Sequence, residues 1–314
     1  MHKIEDDAAR GLVDRVEAID IVEAAYRAAA NGQADVSQPS ALFMRGQAGT
    51  DTHFKVKGAV LDAQNIAGFR LIADGTLTSP DAAAYLYVLE ASTGKPLGFV
   101  SESWLHRIRT ATTGLVTCRA LWPEGAKTLA LIGTGRIAEE FIRSCHLVLP
   151  KVDIVMASRS PERALAAAEK WKELTPYNLS AAAIPEALAK AEVVVTLSDA
   201  AEILFKASDL QKNALVVAMG GRYEFNSDVL ETSEVFIVDE MDFVCSIGSA
   251  ANWIETKQLS RPDLERRLDA TIGELLTGKK KVARRKRTLA IIQGMAICDL
   301  AIAKAVLDRA NKKA

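Results

Sequence analysis

The sequence predicts an α/β protein in which a Rossmann-type, doubly wound parallel sheet is joined to a discontinuous α+β domain. From Lys127 onwards, short apolar and β-branched runs alternate with helical stretches, as in a parallel sheet that is covered on both faces. Before Lys127, several strand-like runs follow one another without helices between them, which is typical of a mostly antiparallel sheet. A long apolar stretch follows the last predicted strand, and we expect it to return to the first domain.

The first domain begins with a predicted helix from Val16 to Ala30, whose small residues suit close packing. Three predicted strands follow this helix: THFKVKGAVL (52–61), IAGFRLIAD (66–74) and AAYLYVLEA (83–91). The third strand is bounded by Ser-Thr-Gly and Pro96, a combination that indicates a turn.

The second domain alternates strands with helices. KTLALIG (127–133) predicts a buried strand, and a helix over Arg136–Leu149 follows it. The next pair is the strand VDIVMAS and a helix over Pro161–Leu174, which Ser160 caps at its N-terminus. The β-branched runs predict strands over 152–158, 191–197, 214–220 and 234–240.

The closing run TLAIIQGMAICDLAIAKAVLDRA predicts one long apolar helix that begins near Thr288. This helix is expected to pack on the first domain. We therefore assign residues 1–121 and 288–314 to one discontinuous domain, and residues 122–287 to the Rossmann domain.

The composition favours a cytoplasmic protein without a nucleic-acid or membrane partner. The 314 residues suit two domains, and 39 lysines and arginines nearly balance 40 aspartates and glutamates. The N-terminus is too polar for a signal peptide, and no apolar run is long enough to span a bilayer.

The basic run KKKVARRKR (279–287) is interpreted as a solvated linker. The dispersed cysteines and histidines predict no metal site.

The segment LALIGTGRIAEE predicts a dinucleotide-binding turn, because its G-x-G-x-x-A pattern follows a strand and opens a helix. Gly133 permits the tight turn, and Gly135 lets the backbone approach a pyrophosphate. Ala138 is small enough for close packing of helix on strand, and the helix N-terminus favours an anion. A glycine turn that binds nothing is the alternative.

The residues after the second strand favour NADP(H) over NAD(H). No acid stands where a ribose-binding carboxylate would be expected, and the sequence there is MASRSPER. Arg159 and Arg163, with the hydroxyls of Ser158 and Ser160, can hold a 2′-phosphate. Alternatively, Arg159 stacks on the adenine and either cofactor binds.

The first domain is expected to supply the groups that bind the substrate, and its candidates are cations. Arg109 precedes a helix of small residues and could hold a carboxylate or a cofactor phosphate. Lys55 and Lys57 share one face of a predicted strand, and Arg45 and Arg70 lie on or beside predicted strands. The alternative is that each belongs to a solvated sheet face.

Four segments resemble the ornithine cyclodeaminase/mu-crystallin family. They are RTATTG (109–114), GTGRIA (133–138), IGELLTGKKKVARRKR (272–287) and the closing QGMAICDLAIAKAV (293–306). The resemblance implies a homodimer built through the first domain, which then serves substrate binding and dimerisation. It also implies hydride transfer between a nicotinamide cofactor and the α-carbon of an amino or imino acid.

The resemblance also implies roles for individual residues. Arg109 corresponds to the arginine of the family's RTA motif, which lies near the cofactor and the substrate carboxylate. The expected cofactor-binding residues are Gly133, Thr134, Gly135, Arg136 and Ile137 at the pyrophosphate, Ser158, Arg159 and Ser160 at the ribose, and Arg109.

The sequence departs from the family at two expected catalytic positions. Arg70 stands where the family has a substrate lysine, and an arginine is a poor proton donor. Arg222, in MGGRYEF, stands where the cyclodeaminase acid is expected. We therefore predict Arg70, Lys57 and Glu224 as the catalytic residues: Arg70 and Arg109 hold the substrate carboxylate, and either a lysine (Lys57 or Lys55) or Glu224 handles protons. Arg222 is expected to contact the substrate.

Three functions follow from these observations. The first is an NAD(P)-dependent oxidoreductase that reduces a small imino or keto acid, or oxidises the matching amino acid. The second is an ornithine cyclodeaminase-type lyase that uses NAD transiently, which the missing acid disfavours because an acid must move protons as the imine is attacked. The third is a cofactor-dependent protein that binds a small ligand without turnover.

Overall fold

The computed structural model describes residues 2–46, 53–74, 84–283 and 286–313. Thr52, Ala83 and residues 284–285, which belong to predicted segments, lie outside these ranges. The chain divides into two compact units, the first formed by residues 1–110 and 294–314 and the second by residues 111–293. The predicted domain limits at residues 121 and 288 differ from these unit boundaries and stay a prediction.

Strands and helices follow one another along the described residues in the following order. The strands are β1 (His2–Ile4), β2 (Ala34–Val36), β3 (Leu42–Arg45), β4 (His53–Leu61), β5 (Ile66–Asp74), β6 (Tyr85–Glu90), β7 (Pro96–Ser101), β8 (Thr128–Ile132), β9 (Asp153–Ala157), β10 (Leu179–Ala181), β11 (Val193–Thr196), β12 (Leu215–Ala218), β13 (Val235–Val238), β14 (Ala270–Thr271) and β15 (Thr288–Ile291). The helices are α1 (Asp6–Arg10), α2 (Arg15–Ala30), α3 (Glu102–Leu121), α4 (Arg136–Cys145), α5 (Pro161–Trp171), α6 (Ile184–Lys190), α7 (Asp228–Glu231), α8 (Met241–Val244), α9 (Gly248–Glu255), α10 (Arg261–Arg267), α11 (Ile272–Thr277) and α12 (Ala296–Lys313), with short 3-10 turns at Asp62–Gln64, Lys172–Leu174 and Ala207–Asp209.

The first unit contains a sheet of seven of the described strands, in the order β1-β7-β6-β5-β4-β2, with β3 also pairing with β4. All its pairs are antiparallel except β1 with β7. The antiparallel sheet predicted for this region is confirmed. The pairing register sets Lys57 directly opposite Arg70, so these two side chains project from the same face of the sheet.

The two faces of this sheet differ in what covers them. Helix α12 packs on one face, where a Cβ at Gly68 would come within 2.8 Å of Leu300. On the other face Phe69 and Leu71 remain 42% and 40% exposed. Tyr87 and Phe99 extend this second face, because the ring centroids of Phe69 and Tyr87 are 5.4 Å apart and those of Tyr87 and Phe99 are 4.7 Å apart.

The second unit contains eight described strands, all parallel, in the order β10-β9-β8-β11-β12-β15-β13-β14. Within this sheet, the chain passes first through β8, then through β9 to the edge strand β10, and returns to β11 on the other side of β8. This is the doubly wound order, whose ligand crevice lies at the carboxyl ends of β8 and β11. The predicted fold class is confirmed.

The segment that begins at Thr288 departs from the prediction. It is predicted to be helical, but residues 288–291 form the buried strand β15 between β12 and β13, and α12 begins only at Ala296. An apolar run of this length is compatible with either a buried strand or a buried helix, so its periodicity cannot distinguish them. Gly294, with φ +84°, separates the two elements. In the described part of the chain, no helix is long and apolar enough to cross a membrane.

Candidate active site

A cavity of about 660 Å³ opens at the carboxyl ends of the central strands of the second unit. Three segments line it: residues 132–135 after β8, residues 158–160 with Arg163 after β9, and residues 197–200 with Glu202 and Leu204 after β11. The cavity therefore lies at the switch point of the sheet, where doubly wound folds bind nucleotides.

The glycine loop has the geometry that its sequence predicts. Gly133 has φ +129°, in the region that favours glycine, and a Cβ there would come within 2.4 Å of the Leu197 carbonyl oxygen. Gly135 is the N-cap of α4, and a Cβ at this position would meet no atom within 4 Å. Gly133 is therefore required by the turn and by contact with Leu197, whereas Gly135 leaves open space in front of the helix N-terminus.

The cavity brings together most of the predicted cofactor residues of this unit. Thr134 lines it with the two glycines, whereas Arg136 and Ile137, in the first turn of α4, are not among the lining residues. Sequence reasoning missed the wall formed by residues 197–200. The position of this segment, directly after the strand that pairs with β8, is a signal from which it could have been found.

The ribose end of the cavity is polar and carries two cations. Arg159 and Arg163 both line it, and both are exposed. The Ser158 hydroxyl donates a 2.6 Å hydrogen bond to the Ser160 carbonyl oxygen, and the Ser160 hydroxyl donates to Glu162 at 2.7 Å. Ser160 also accepts a hydrogen bond from the backbone of Arg163, which confirms the predicted cap of α5.

The first unit contains a buried charge cluster, formed by Lys57, Arg70, Glu102, Arg109 and Asp299. The Arg109 Nε donates to Asp299 Oδ1 at 2.7 Å, and an Arg70 amino group lies 3.5 Å from the same oxygen. Arg70 also donates to Glu102, and the Lys57 ammonium donates to the carbonyl oxygen of Gly294. Three predicted cations are thus brought together around two carboxylates that were not predicted as site residues.

The charges of this cluster shift one another's pKa values. Burial, followed by the charge of Arg109, lowers the pKa of Arg70 to about 10, against the opposing attraction of Asp299. Burial, followed by the charges of Arg109 and Arg70, lowers the pKa of Lys57 well below its usual value, although Asp299 opposes the shift. Burial alone would raise the pKa of Asp299, but Arg109, Arg70 and Lys57 together lower it.

His106 stands beside the cluster on helix α3. Its Nδ1 atom lies 3.1 Å from an Arg109 amino group, and because a guanidinium can only donate, this nitrogen accepts. Burial and then the charges of Arg70 and Arg109 hold the pKa of His106 well below its usual value. Glu102, His106 and Arg109 lie on adjacent turns of one helix. This helical spacing is a signal from which Glu102 and His106 could have been found.

Two atoms of the cluster have unused hydrogen-bonding capacity. Asp299 Oδ2 and Arg70 Nε are buried and have no hydrogen-bond partner among the described residues. Leaving such atoms unpaired in a protein interior is unfavourable, so the cluster suits a further polar group.

The other predicted substrate residues of this unit lie towards the end of the same sheet. Lys55 is half-buried on the face of β4 that carries Lys57, and Arg45 is exposed at the end of β3.

Glu224 and Arg222, the residues around the missing acid, have different surroundings. Glu224 is 1% exposed and its carboxylate accepts four hydrogen bonds from Thr196, Ser198 and Gly220. Burial raises its pKa to about 7, although these hydrogen bonds oppose the shift. Arg222 is partly exposed and donates to Glu255 at 2.5 Å. The four hydrogen bonds to Glu224 thus use all lone-pair directions of its carboxylate within the protein.

The model of the ornithine cyclodeaminase/mu-crystallin family matches residues 6–314 of the chain. Among curated proteins, a Delta(1)-pyrroline-2-carboxylate reductase of Bacillus cereus is 28% identical over 230 residues, which are 70% of this chain and 69% of that protein.

Two solved structures have the same fold along the whole chain. The Delta(1)-pyrroline-2-carboxylate reductase of Thermococcus litoralis, in complex with NADH and L-proline, has a TM-score of 0.87 at 20% identity and covers 100% of this chain and 98% of its own. An archaeal alanine dehydrogenase dimer with bound NAD also has a TM-score of 0.87 at 20% identity, and covers 99% of this chain and 96% of its own.

Proposed function

Because the chain belongs to the ornithine cyclodeaminase/mu-crystallin family, we propose that it is an NAD(P)-dependent oxidoreductase acting on the C=N or CH–NH2 group of a small imino or amino acid. The observation that carries this proposal is the cavity lined by the glycine loop. At Gly135, this loop leaves open space into which a dinucleotide would fit. Curated relatives named as reductases of an imino acid and as an alanine dehydrogenase support it.

The residues of the cavity fit a nicotinamide dinucleotide, which when bound would donate or accept the hydride. Thr134 and Gly135, with the first turn of α4, would hold the pyrophosphate through backbone N–H groups and the helix dipole. Gly133 would permit the turn only, because its N–H donates to the Ala157 carbonyl oxygen at 2.9 Å. Arg136 and Ile137 shape that first turn without lining the cavity.

The cofactor we propose is NADP(H) rather than NAD(H). Arg159 and Arg163 line the ribose end, and the Ser158 and Ser160 hydroxyls stand beside them. Guanidinium groups bind phosphate bidentately, and the residue that follows β9 is Ser158 instead of an acid that would pair with a 2′-hydroxyl. The two structural neighbours hold NADH and NAD, so the preference would be a property of this chain.

For the substrate, we propose that the buried charge cluster binds the α-carboxylate. Arg70 and Arg109 supply fixed positive charge, and the Arg70 Nε retains an unused donor. Lys55 and Arg45, farther along the same face, would meet the part of the substrate beyond the α-carbon. A contact between Arg222 and the substrate stays a prediction, and the ion pair of Arg222 with Glu255 does not add support to it.

Lys57 is the group we propose for proton transfer. Reduction of a C=N group adds a hydride to the carbon and a proton to the nitrogen, so a donor is needed beside the nitrogen. An ammonium with a lowered pKa gives up its proton more readily than the guanidinium of Arg70. Glu224, the other predicted proton carrier, has its carboxylate fully occupied.

Net consumption of reduced cofactor tests the activity. We expect stoichiometric loss of NADPH absorbance when the purified protein is mixed with an imine that carries an α-carboxylate, such as pyrroline-2-carboxylate, and formation of one amine per NADPH. Release of ammonia from ornithine without net change in the cofactor would instead identify a cyclodeaminase-type lyase. Cofactor binding without turnover of any imino or amino acid would identify a binding protein.

Substitution at Gly135 tests whether the cavity is the cofactor site. A Cβ at Gly135 meets no protein atom within 4 Å, so we expect the valine variant to fold, while its side chain would occupy the space in front of α4. We expect Gly135→Val to abolish binding of both NADPH and NADH in calorimetry. Gly125→Val, at an exposed turn of the same unit with open space around it, is unsuitable as a control because its φ is +79°. Leu165→Val, on the exposed face of α5, provides the matched control.

A homodimer is the assembly we propose, with the aromatic sheet face of the first unit as its interface. This face presents Phe69, Leu71, Tyr87 and Phe99, and contiguous exposed apolar surface of this kind commonly marks an interaction site. The archaeal neighbour is described as a dimer. A cytoplasmic location stays a prediction from the sequence.

A further inference from the structure

The Glu224 carboxylate is held at the centre of four converging donors. Oε1 accepts hydrogen bonds from the Ser198 backbone N–H at 3.0 Å and from the Ser198 hydroxyl at 2.8 Å. Oε2 accepts from the Thr196 hydroxyl at 2.6 Å and from the Gly220 backbone N–H at 3.1 Å. Two donors on each oxygen use the normal capacity of a carboxylate.

These donors come from the segments that follow two neighbouring strands. Thr196 is the last residue of β11 and Ser198 lines the cofactor cavity, whereas Gly220 follows β12. The backbone between Thr196 and Ser198 also supports the glycine loop, because the Leu197 carbonyl lies so close to Gly133 that a Cβ there would be 2.4 Å from its oxygen. A continuous set of contacts therefore joins Glu224 to the glycine loop through Ser198 and Leu197.

We infer that Glu224 is a positioning residue of the cofactor cavity, whose carboxylate fixes the 196–198 segment on which the glycine loop rests. This inference depends on the proposed function only in taking the cavity as the dinucleotide site. Glu224 does not touch the reacting atoms in this role. It acts through Ser198 and Leu197 on the shape of the pyrophosphate turn.

Gly220 is the steric complement of this carboxylate. A Cβ at Gly220 would lie 2.1 Å from Glu224 Oε1 and 2.3 Å from the Ser198 carbonyl oxygen. The first glycine of MGGRYEF thus leaves the space that the carboxylate occupies. An alanine at this position would push Glu224 away from its donors.

The donor arrangement requires a carboxylate rather than a carboxamide. Each oxygen faces one backbone N–H, from Ser198 or from Gly220, and a backbone N–H cannot rotate to become an acceptor. A glutamine would therefore set its NH2 group against a backbone N–H in either orientation of its amide. Glu224→Gln preserves the size of the side chain but breaks one side of the arrangement.

The test is direct binding of NADPH to the purified full chain, measured by calorimetry for the dissociation constant and the stoichiometry. We expect Glu224→Gln to raise the dissociation constant about tenfold or more, at unchanged stoichiometry. Glu231→Gln, the same substitution at an exposed position of the same unit, should leave the dissociation constant unchanged. If Glu224 only supported the fold, the stoichiometry and the melting temperature would fall while the dissociation constant of the remaining folded protein stayed the same.

A second variant keeps the test decisive if Glu224→Gln does not fold. Thr196→Val removes one hydroxyl donor and retains the carboxylate, and we expect it to weaken NADPH binding about threefold. An unchanged dissociation constant in every folded variant would overturn the inference. Failure of the unaltered protein to bind NADPH or NADH would instead refute the proposed function, so the two failures are distinguishable.

Discussion

Replacing Asp299 with asparagine removes the carboxylate that lies between two buried guanidinium groups. Asp299 has no exposed surface, and its Oδ1 lies 2.7 Å from Arg109 Nε and 3.5 Å from an Arg70 amino group. Asparagine has nearly the same shape, so the substitution removes charge without opening a cavity. We expect it to leave the two guanidinium groups without sufficient compensation.

The magnitude follows from these distances. With an effective dielectric constant of about 20, the attraction of Asp299 is ~6 kcal/mol to Arg109 and ~5 kcal/mol to Arg70. Desolvation of the carboxylate offsets several kcal/mol of this attraction, and removal of one partner from a buried pair costs about 3–5 kcal/mol. Since Arg70 retains Glu102, we expect a loss near the lower limit, about 3 kcal/mol. For a unit of this size, this corresponds to a fall in melting temperature of roughly 10 °C.

Chemical denaturation of Asp299→Asn beside Asp308→Asn provides the assay. Asp308 is half-exposed on the same helix and pairs with Lys304, so its substitution should change the free energy of unfolding by less than about 0.5 kcal/mol. Equal stabilities of the two variants would refute our account of the cluster.

The pH dependence of the difference tests the charge itself. The folded-state pKa of Asp299 is lowered, so its stabilisation is present above the ordinary carboxyl pKa of about 4 and is lost as the pH falls through the folded-state value. The difference between Asp299→Asn and the unaltered protein should be constant above about pH 5 and should shrink at lower pH. A difference that persists undiminished in acid would indicate lost packing rather than lost charge.

Three further substitutions test the proposed roles. Arg159→Asp should raise the dissociation constant of NADPH about 10- to 100-fold and that of NADH much less, and equal losses in calorimetry would contradict a 2′-phosphate contact. Lys57→Met should lower kcat by about 10²- to 10⁴-fold. The alkaline limb of kcat/KM in the unaltered enzyme should fall well below pH 10.5, and a limb that survives in Lys57→Met would point to another group. Tyr87→Glu should yield monomers in sedimentation with unchanged NADPH binding, and a persistent dimer would exclude the aromatic face as the interface.

Local sequence signals were sufficient to predict a strand and the helix that follows it where the strand is buried on both faces and the helix has a capping residue. In β9 and α5, an apolar run is followed by Ser160 and Pro161, and the structure has the helix starting at Pro161 with Ser160 as its cap. The same signals failed for β15, because only Gln293 and Gly294 interrupt the apolar run between it and α12, and this break was not interpreted as a boundary. Strand β10 was also missed, because its three residues at the sheet edge carry no apolar run.

The glycine loop could be predicted because its residues are contiguous, whereas the contacts that pair the cations with their carboxylates could not. Asp299 is 190 residues from Arg109 in sequence, and Glu102 is 32 residues from Arg70. No local pattern reports the contact of Asp299, because it depends on α12 returning to the sheet of the first unit. The helical spacing of Glu102 marks it as a candidate but does not reveal its contact with Arg70 on β5. Glu224 illustrates the same limit, since its burial depends on β11 and β12 being neighbours.

The position of Lys57 bears on the departure from the family pattern at Arg70. The resemblance implies one lysine at position 70, where this chain has an arginine, and the pairing register sets Lys57 directly across from it on β4. Side chains at directly opposed positions are close enough to act on the same ligand group. In the proposed mechanism, Arg70 would supply a permanent charge for a carboxylate, and Lys57, whose pKa is lowered, would supply the exchangeable proton. The proposed mechanism thus assigns carboxylate binding and proton transfer to two residues that face each other on neighbouring strands.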